Sequence, residues 1–222
     1  MLQDIYARFR GGCMMLLRKE GDAVLFLGTA FLVHPDGYLL TAGHSVQGRD
    51  NVMVAPRDFG SEFAPMWSET VAPYQATVCQ VDAGHDLALL KFQRDFEIVF
   101  PDHMMGVPET VSPGSSVALL GYPFGFQHVF NQFIEQSVVS TKLVTNAGTN
   151  LLLFDGVVNL GMRGAPLVTM ADGRVIGVVN GRFDPAQAGD SETEPAEQPH
   201  FSFAVSIEYA AAMLEAEGLE II

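Results

Sequence analysis

The sequence predicts an all-β fold of antiparallel strands, ending in a single α-helix. Three observations carry this. Short apolar runs recur along the chain, each bounded by Gly, Pro or Asp turns, the pattern of strands joined by tight connections. The chain has 222 residues, 48% of them hydrophobic, which suits the roughly 200–250 residues that β-sandwiches and barrels occupy as one domain. Helical periodicity stands out in one place, near the end.

In order, residues 13–17 and 24–33 read as two strands around a charged turn at 18–22. His34-Pro35-Asp36-Gly37 is a turn: Pro presets one backbone angle and Gly accepts a positive one. Residues 38–40 form a third strand that runs into Thr41-Ala42-Gly43-His44. Residues 52–54 are a further short strand, and 57–73, rich in Pro, Ser and Phe, a surface loop. Residues 75–81 alternate in polarity as a half-buried strand does. The turn Asp82-Ala83-Gly84-His85-Asp86 opens the apolar strand Leu87-Ala88-Leu89-Leu90. Residues 115–120 are a strand, Gly121-Tyr122-Pro123-Phe124-Gly125 a turn, and 133–144 one or two strands. Residues 151–158 lead into Gly161-Met162-Arg163-Gly164-Ala165-Pro166-Leu167, a tight turn before the strand 175–179. Residues 184–200 are rich in Pro, Glu, Asp, Ala and Gly and read as a mobile loop, since a strand follows at 201–205. In the last segment Ile207, Ala210, Ala211 and Leu214 share a helical face, Ser206 is the expected N-cap and Gly218 the stop.

Net charge is −14, so the basic face that nucleic acid requires is not expected. No apolar run approaches the roughly 18–20 residues of a membrane span. The N-terminus lacks the basic start, apolar centre and small-residue cleavage site of a signal peptide, and a cytoplasmic location is the expectation. The cysteines Cys13 and Cys79 are expected to be free and buried. His34, His44, His85 and His103 show no metal-ligand spacing, and no cofactor or metal is expected.

Three pieces line up in chain order. The first is Gly28-Thr29-Ala30-Phe31 with the strand ending in Thr41-Ala42-Gly43-His44. The second is Asp86-Leu87-Ala88-Leu89-Leu90. The third is Gly161 to Leu167 with Gly173-Arg174-Val175-Ile176-Gly177-Val178. Together they resemble the trypsin-like serine peptidase domain, in its HtrA/Deg branch, over about residues 24 to 218. Gly121 to Gly125 and the terminal strand and helix match that branch too. The resemblance implies two six-stranded β-barrels with a cleft between them, in a single domain over 1–222. The barrels are expected at roughly 10–105 and 106–205 and the helix at 206–218.

The same resemblance gives His44 the role of general base and Asp86 that of its orienting carboxylate. The N–H groups of Gly161 and Arg163 match the oxyanion-hole donors. Position 163 matches the nucleophile, where the family carries Ser. A guanidinium stays protonated and cannot attack a carbonyl. Ala165 also departs from the second glycine of the family loop. Ser45 adjoins the histidine, but its side chain should diverge from the imidazole, and Cys13 and Cys79 are expected far from the loop. The expectation is therefore an inactive pseudoprotease that binds an extended protein or peptide, with neither nucleic acid nor membrane as partner. The alternatives are an active serine endopeptidase, its nucleophile altered in this chain or supplied elsewhere, and a purely structural subunit with the cleft closed by Arg163.

Overall fold

The computed structural model describes residues 1–49, 51–57, 62–67, 72–93, 98, 100–101, 104–184 and 201–220. The first barrel comprises β1 (Cys13–Glu20), β2 (Ala23–His34), β3 (Tyr38–Ala42), β4 (Val52–Pro56), β5 (Tyr74–Asp82) and β6 (Leu87–Phe92). These close antiparallel in the order β1-β2-β3-β6-β5-β4. The second comprises β7 (Ser116–Gly121), β8 (Phe133–Val144), β9 (Asn150–Asp155), β10 (Pro166–Thr169), β11 (Val175–Arg182) and β12 (Phe201–Ser206). It closes as β7-β8-β9-β12-β11-β10, the same connectivity repeated. Two six-stranded barrels and a C-terminal helix are thus what the chain forms.

Burial explains why several strands read as unbroken apolar runs rather than as alternation. β3 is buried along its whole length. One face, with Leu39, packs into the first barrel beside Leu16, Leu90 and Val54. The other, with Leu40, joins a core that also holds Phe31, Leu89, Leu120, Tyr122, Val178 and Val205. That second core lies between the barrels, so strands facing it are apolar on both sides. The interior of the second barrel is a separate cluster around Val117, Leu119, Leu167 and Ile176.

Several elements differ from expectation. A helix, α1 (Leu2–Phe9), precedes the first barrel and buries Ile5 and Phe9. The tight turn expected at 161–167 ends at Ala165, and Pro166 and Leu167 already belong to β10. α2 (Glu208–Ala216) starts one residue later than expected: Ile207 is its N-cap, with no side-chain cap. Ser206 is instead buried in the sheet. Gly218 does stop the helix, at φ 74°, with its N–H on the Glu215 carbonyl and that of Leu219 on Leu214; this is the Schellman pattern. Both cysteines are free, Cys13 buried as expected but Cys79 only partly so, because β5 keeps one face toward solvent. The expected mobile loop at 184–200 lies, except for Asp184, outside the described residues.

α2 follows the second barrel but packs on the first. The Gln80 amide donates to the Met213 carbonyl at 2.9 Å and to Glu217 at 2.7 Å. Tyr209 stacks on His85 at 3.7 Å. Another tie between the barrels is Thr29 on β2, fully buried. Its hydroxyl donates to the Gly161 carbonyl at 2.7 Å and accepts the Tyr122 N–H at 3.2 Å. Its backbone N–H donates to the Arg163 carbonyl at 2.8 Å, and its carbonyl accepts the Thr41 hydroxyl at 2.7 Å. Thr29→Val keeps the shape but strands the Gly161 carbonyl and the Tyr122 N–H in a dry interface. Each such loss costs about 1–3 kcal/mol. Urea unfolding of Thr29→Val should show a loss of about 2 kcal/mol or more; stability within about 0.5 kcal/mol of the native chain would contradict this reading.

Candidate active site

His44 and Asp86 meet because of strand register. β3 pairs with β6 so that Ala42 faces Leu87, which sets Gly43 opposite Asp86. The ladder continues one step further, with the Gly43 N–H on the Asp86 carbonyl at 2.8 Å. His44 then lies in the single 3₁₀ turn Gly43–Ser45. Asp86 holds a left-handed φ of 53°, a conformation that Asp tolerates better than most residues.

The two side chains are joined at both ends. His44 Nδ1 lies 2.7 Å from Asp86 Oδ2, and the His44 backbone N–H donates to Oδ1 at 2.7 Å. The Asn180 amide adds a bond of 2.7 Å to Oδ2 and one of 3.2 Å to the Asp86 carbonyl. Burial alone would raise the Asp86 carboxyl, but the hydrogen bonds from His44 and Asn180 outweigh it and hold the group below its usual 3.8. With an ionised carboxylate as acceptor, Nδ1 carries the proton and Nε2 is left as the acceptor of the neutral ring. Nε2 is shielded from solvent and has no partner among the described residues.

Asn180 escaped the sequence reading. Its signal was a lone amide that ends the apolar run 175–179 just before Gly181.

The loop from Leu160 to Ala165 is shaped by close backbone approach. A Cβ on Gly161 would stand 2.0 Å from the Tyr122 carbonyl oxygen. One on Gly164, at φ 86°, would stand 2.1 Å from that of Thr29. Only glycine fits at either position. The Gly164 N–H donates to the Val179 carbonyl at 2.7 Å, and Val179 returns a bond to Ala165 at 2.8 Å. Ala165 is fully buried and its bonds to Met162 and Val179 are normal.

Residues Leu160–Met162 form a 3₁₀ turn. Its consequence falls on residue 163: the Arg163 N–H donates to the Leu160 carbonyl at 3.2 Å. That donor is therefore engaged within the loop and is not presented to the cleft. The Arg163 side chain is partly buried and folds toward β11. Its Nε lies 3.5 Å and its Nη2 3.7 Å from the point where a Cβ would stand on Gly181. Nearby, Arg182 Nε donates to the Val158 carbonyl at 3.3 Å, linking β11 to the segment before the loop.

The other candidates stay apart from this site. Ser45 Oγ is buried without a hydrogen bond to His44 or to any other described residue. Cys13 Sγ contacts the Leu120 carbonyl between the barrels at 3.4 Å, and burial raises its thiol well above the usual range. Cys79 sits on β5 near Thr77. His34 turns to Asp36, and His85 pairs with Asp82 at 2.6 Å. His103 lies outside the described residues. Among the described residues, no group of His, Cys, Asp and Glu could hold a metal ion, and no helix is long and apolar enough to cross a membrane.

Comparison with known proteins points to one domain family. Residues 28–178 match the model of the trypsin-like peptidase domain. A probable periplasmic serine endoprotease of DegP type from Halomonas elongata is 31% identical over 152 residues, covering 68% of this chain and 28% of that protein. Serine protease HTRA1 of Xenopus tropicalis is 30% identical over 158 residues, again 68% of this chain and 30% of the relative. The chain thus spans less than a third of the length of these relatives. Among solved structures, the HtrA-type protease AlgW with a tripeptide superposes with a TM-score of 0.72 at 22% identity. It covers 97% of this chain and 63% of that one. The active form of the Rv3671c protease from M. tuberculosis gives 0.71 at 21% identity, over 97% and 85% of the two chains. At such identities the likeness is one of fold.

The lowered carboxyl of Asp86 makes a sign-specific prediction. Its stabilising contribution is complete above the unfolded value of 3.8 and is lost as the pH falls through the lower folded value. Asp86→Asn should therefore be less stable than the native chain near neutrality, and the gap should shrink below pH 3.8. Urea unfolding across that range measures it; a gap that stays constant down to about pH 2.5 would contradict the reading.

Proposed function

Because the chain belongs to the trypsin-like peptidase domain family, we propose that it is a pseudoprotease: a peptidase fold that keeps its cleft and its His44–Asp86 pair but serves to bind an extended peptide or protein segment. The observation that carries the proposal is residue 163. Arginine offers no nucleophile there, and its N–H is engaged with Leu160, so both the attacking atom and one oxyanion donor are missing.

The size of the effect supports inactivity. Loss of a triad serine alone costs about 10⁶ in turnover and leaves roughly 10³–10⁴ over water from the oxyanion hole and binding. That remainder requires a formed hole, and the 160–163 turn withholds one donor. The alternative, an active endopeptidase, would need a nucleophile within about 3 Å of His44 Nε2. Nε2 has no partner among the described residues, and Ser45 does not reach it.

A binding role fits the sheet. β10 covers β11 only as far as Val178, and Val179 bonds to the loop at Gly164 and Ala165. Beyond that point β11 runs on to Arg182 with no strand on that side among the described residues. An extended segment adds naturally to such an edge, and AlgW was solved with a tripeptide and with a decapeptide. The DegP-type relatives are named as periplasmic. By that likeness we place the chain outside the cytoplasm, contrary to the expectation from its N-terminus.

A fluorophosphonate probe tests inactivity. The native chain should not label, whereas Arg163→Ser should label slowly and only while His44 is intact. Labelling of the native chain that His44→Ala abolishes would overturn the pseudoprotease reading.

A further inference from the structure

Among the described residues, Arg163 is a cation without a counter-ion. The chain carries a net charge of −14, yet no carboxylate among the described residues pairs with this guanidinium. Its Nε is shielded from solvent and makes no hydrogen bond. The nearest carboxylate of the site, Asp86, is committed to His44 and Asn180. A partly buried guanidinium whose Nε–H has no partner among the described residues is costly unless something meets it, because buried charge demands pairing.

Its position says what that is. Residue 163 occupies the place from which a serine attacks the carbonyl carbon of a peptide lying in the cleft. A peptide that ends at that carbon has its α-carboxylate there. The guanidinium extends from the same residue toward Gly181, on the β11 edge where an added segment would pair. Arg182, the next residue on that strand, is exposed and adds a second cation. With the Arg163 N–H engaged by Leu160, the side chain is the donor left at this residue for an anion.

We propose that the cleft binds the free C-terminus of an extended peptide, with the Arg163 guanidinium receiving the α-carboxylate. This rests on the peptide-binding reading above. Planar, forked donors suit a carboxylate better than a point charge does. The ligand class is thus a carboxylate-ended peptide, the chemical form in which peptide-bond hydrolysis leaves its acyl-side product. No bond is made or broken in this step.

The test uses fluorescein-labelled decapeptides randomised over their last four positions, prepared as free acids and as C-terminal amides. Binding to the intact chain is read by fluorescence anisotropy, with far-UV circular dichroism confirming that each variant is folded. The acids should bind at least about tenfold more tightly than the amides, as a charge-assisted bond implies. Arg163→Met and Arg163→Gln should each abolish that preference, so that acids and amides bind alike. Equal binding of acids and amides by the native chain would overturn the carboxylate inference and leave peptide binding standing. A preference that survives both substitutions would overturn the role of Arg163. Binding of neither series would overturn both the inference and the peptide-binding reading beneath it.

Discussion

The fold and the site depend on one buried residue, Thr29. Its hydroxyl, N–H and carbonyl make four hydrogen bonds that reach β3, the turn after β7 and the Gly161–Arg163 loop. A fully satisfied polar cluster in a dry interface is rigid, because any partner that leaves is stranded without water. The partners of Thr29 in the loop are the carbonyls of Gly161 and Arg163. They are backbone atoms and do not depend on the side chain at 163. These bonds can therefore hold the loop with an arginine at that position.

Much of this was legible in the sequence. The strands showed because turn residues punctuate short apolar runs, and His44 and Asp86 showed because their sequence contexts resemble those of the trypsin-like peptidase domain. What was hidden depends on through-space contacts. Asn180 looked like the end of a strand until β11 and β6 were brought together. The α1 helix has eight residues and no side-chain cap, too little local signal to stand out, and it is held by burial of Ile5 and Phe9. Ser206 had the chemistry of an N-cap, but the β12 ladder claims its backbone, with Ser206 opposite Gly177. Cys79 follows the alternation of a strand with one wet face. The bond from Arg163 N–H to Leu160 turns on the orientation of a single peptide, which residue types alone do not determine.

The site has changed unevenly. His44, Asp86 and Asn180 are bonded to one another, while residue 163 carries a guanidinium and its N–H is bonded to Leu160. Packing accounts for the difference. Gly43, whose Cβ would stand 3.0–3.1 Å from atoms of Asp86 and Leu87, and the shared β3–β6 ladder make the His44–Asp86 pair part of the structure. The side chain at 163 folds toward Gly181 of β11 and takes no part in that ladder. Fold and pair can thus persist on structural grounds whether or not the chain turns over substrate, which is what the proposed pseudoprotease requires.

Turnover by the native chain tests this account most directly. Internally quenched decapeptides of mixed sequence would be incubated at high protein concentration with the native chain and, in parallel, with His44→Ala. The account predicts the same background rate from both, since the imidazole has no nucleophile to activate. Cleavage by the native chain that disappears with His44→Ala would show that a nucleophile is at work in the cleft, and would contradict it.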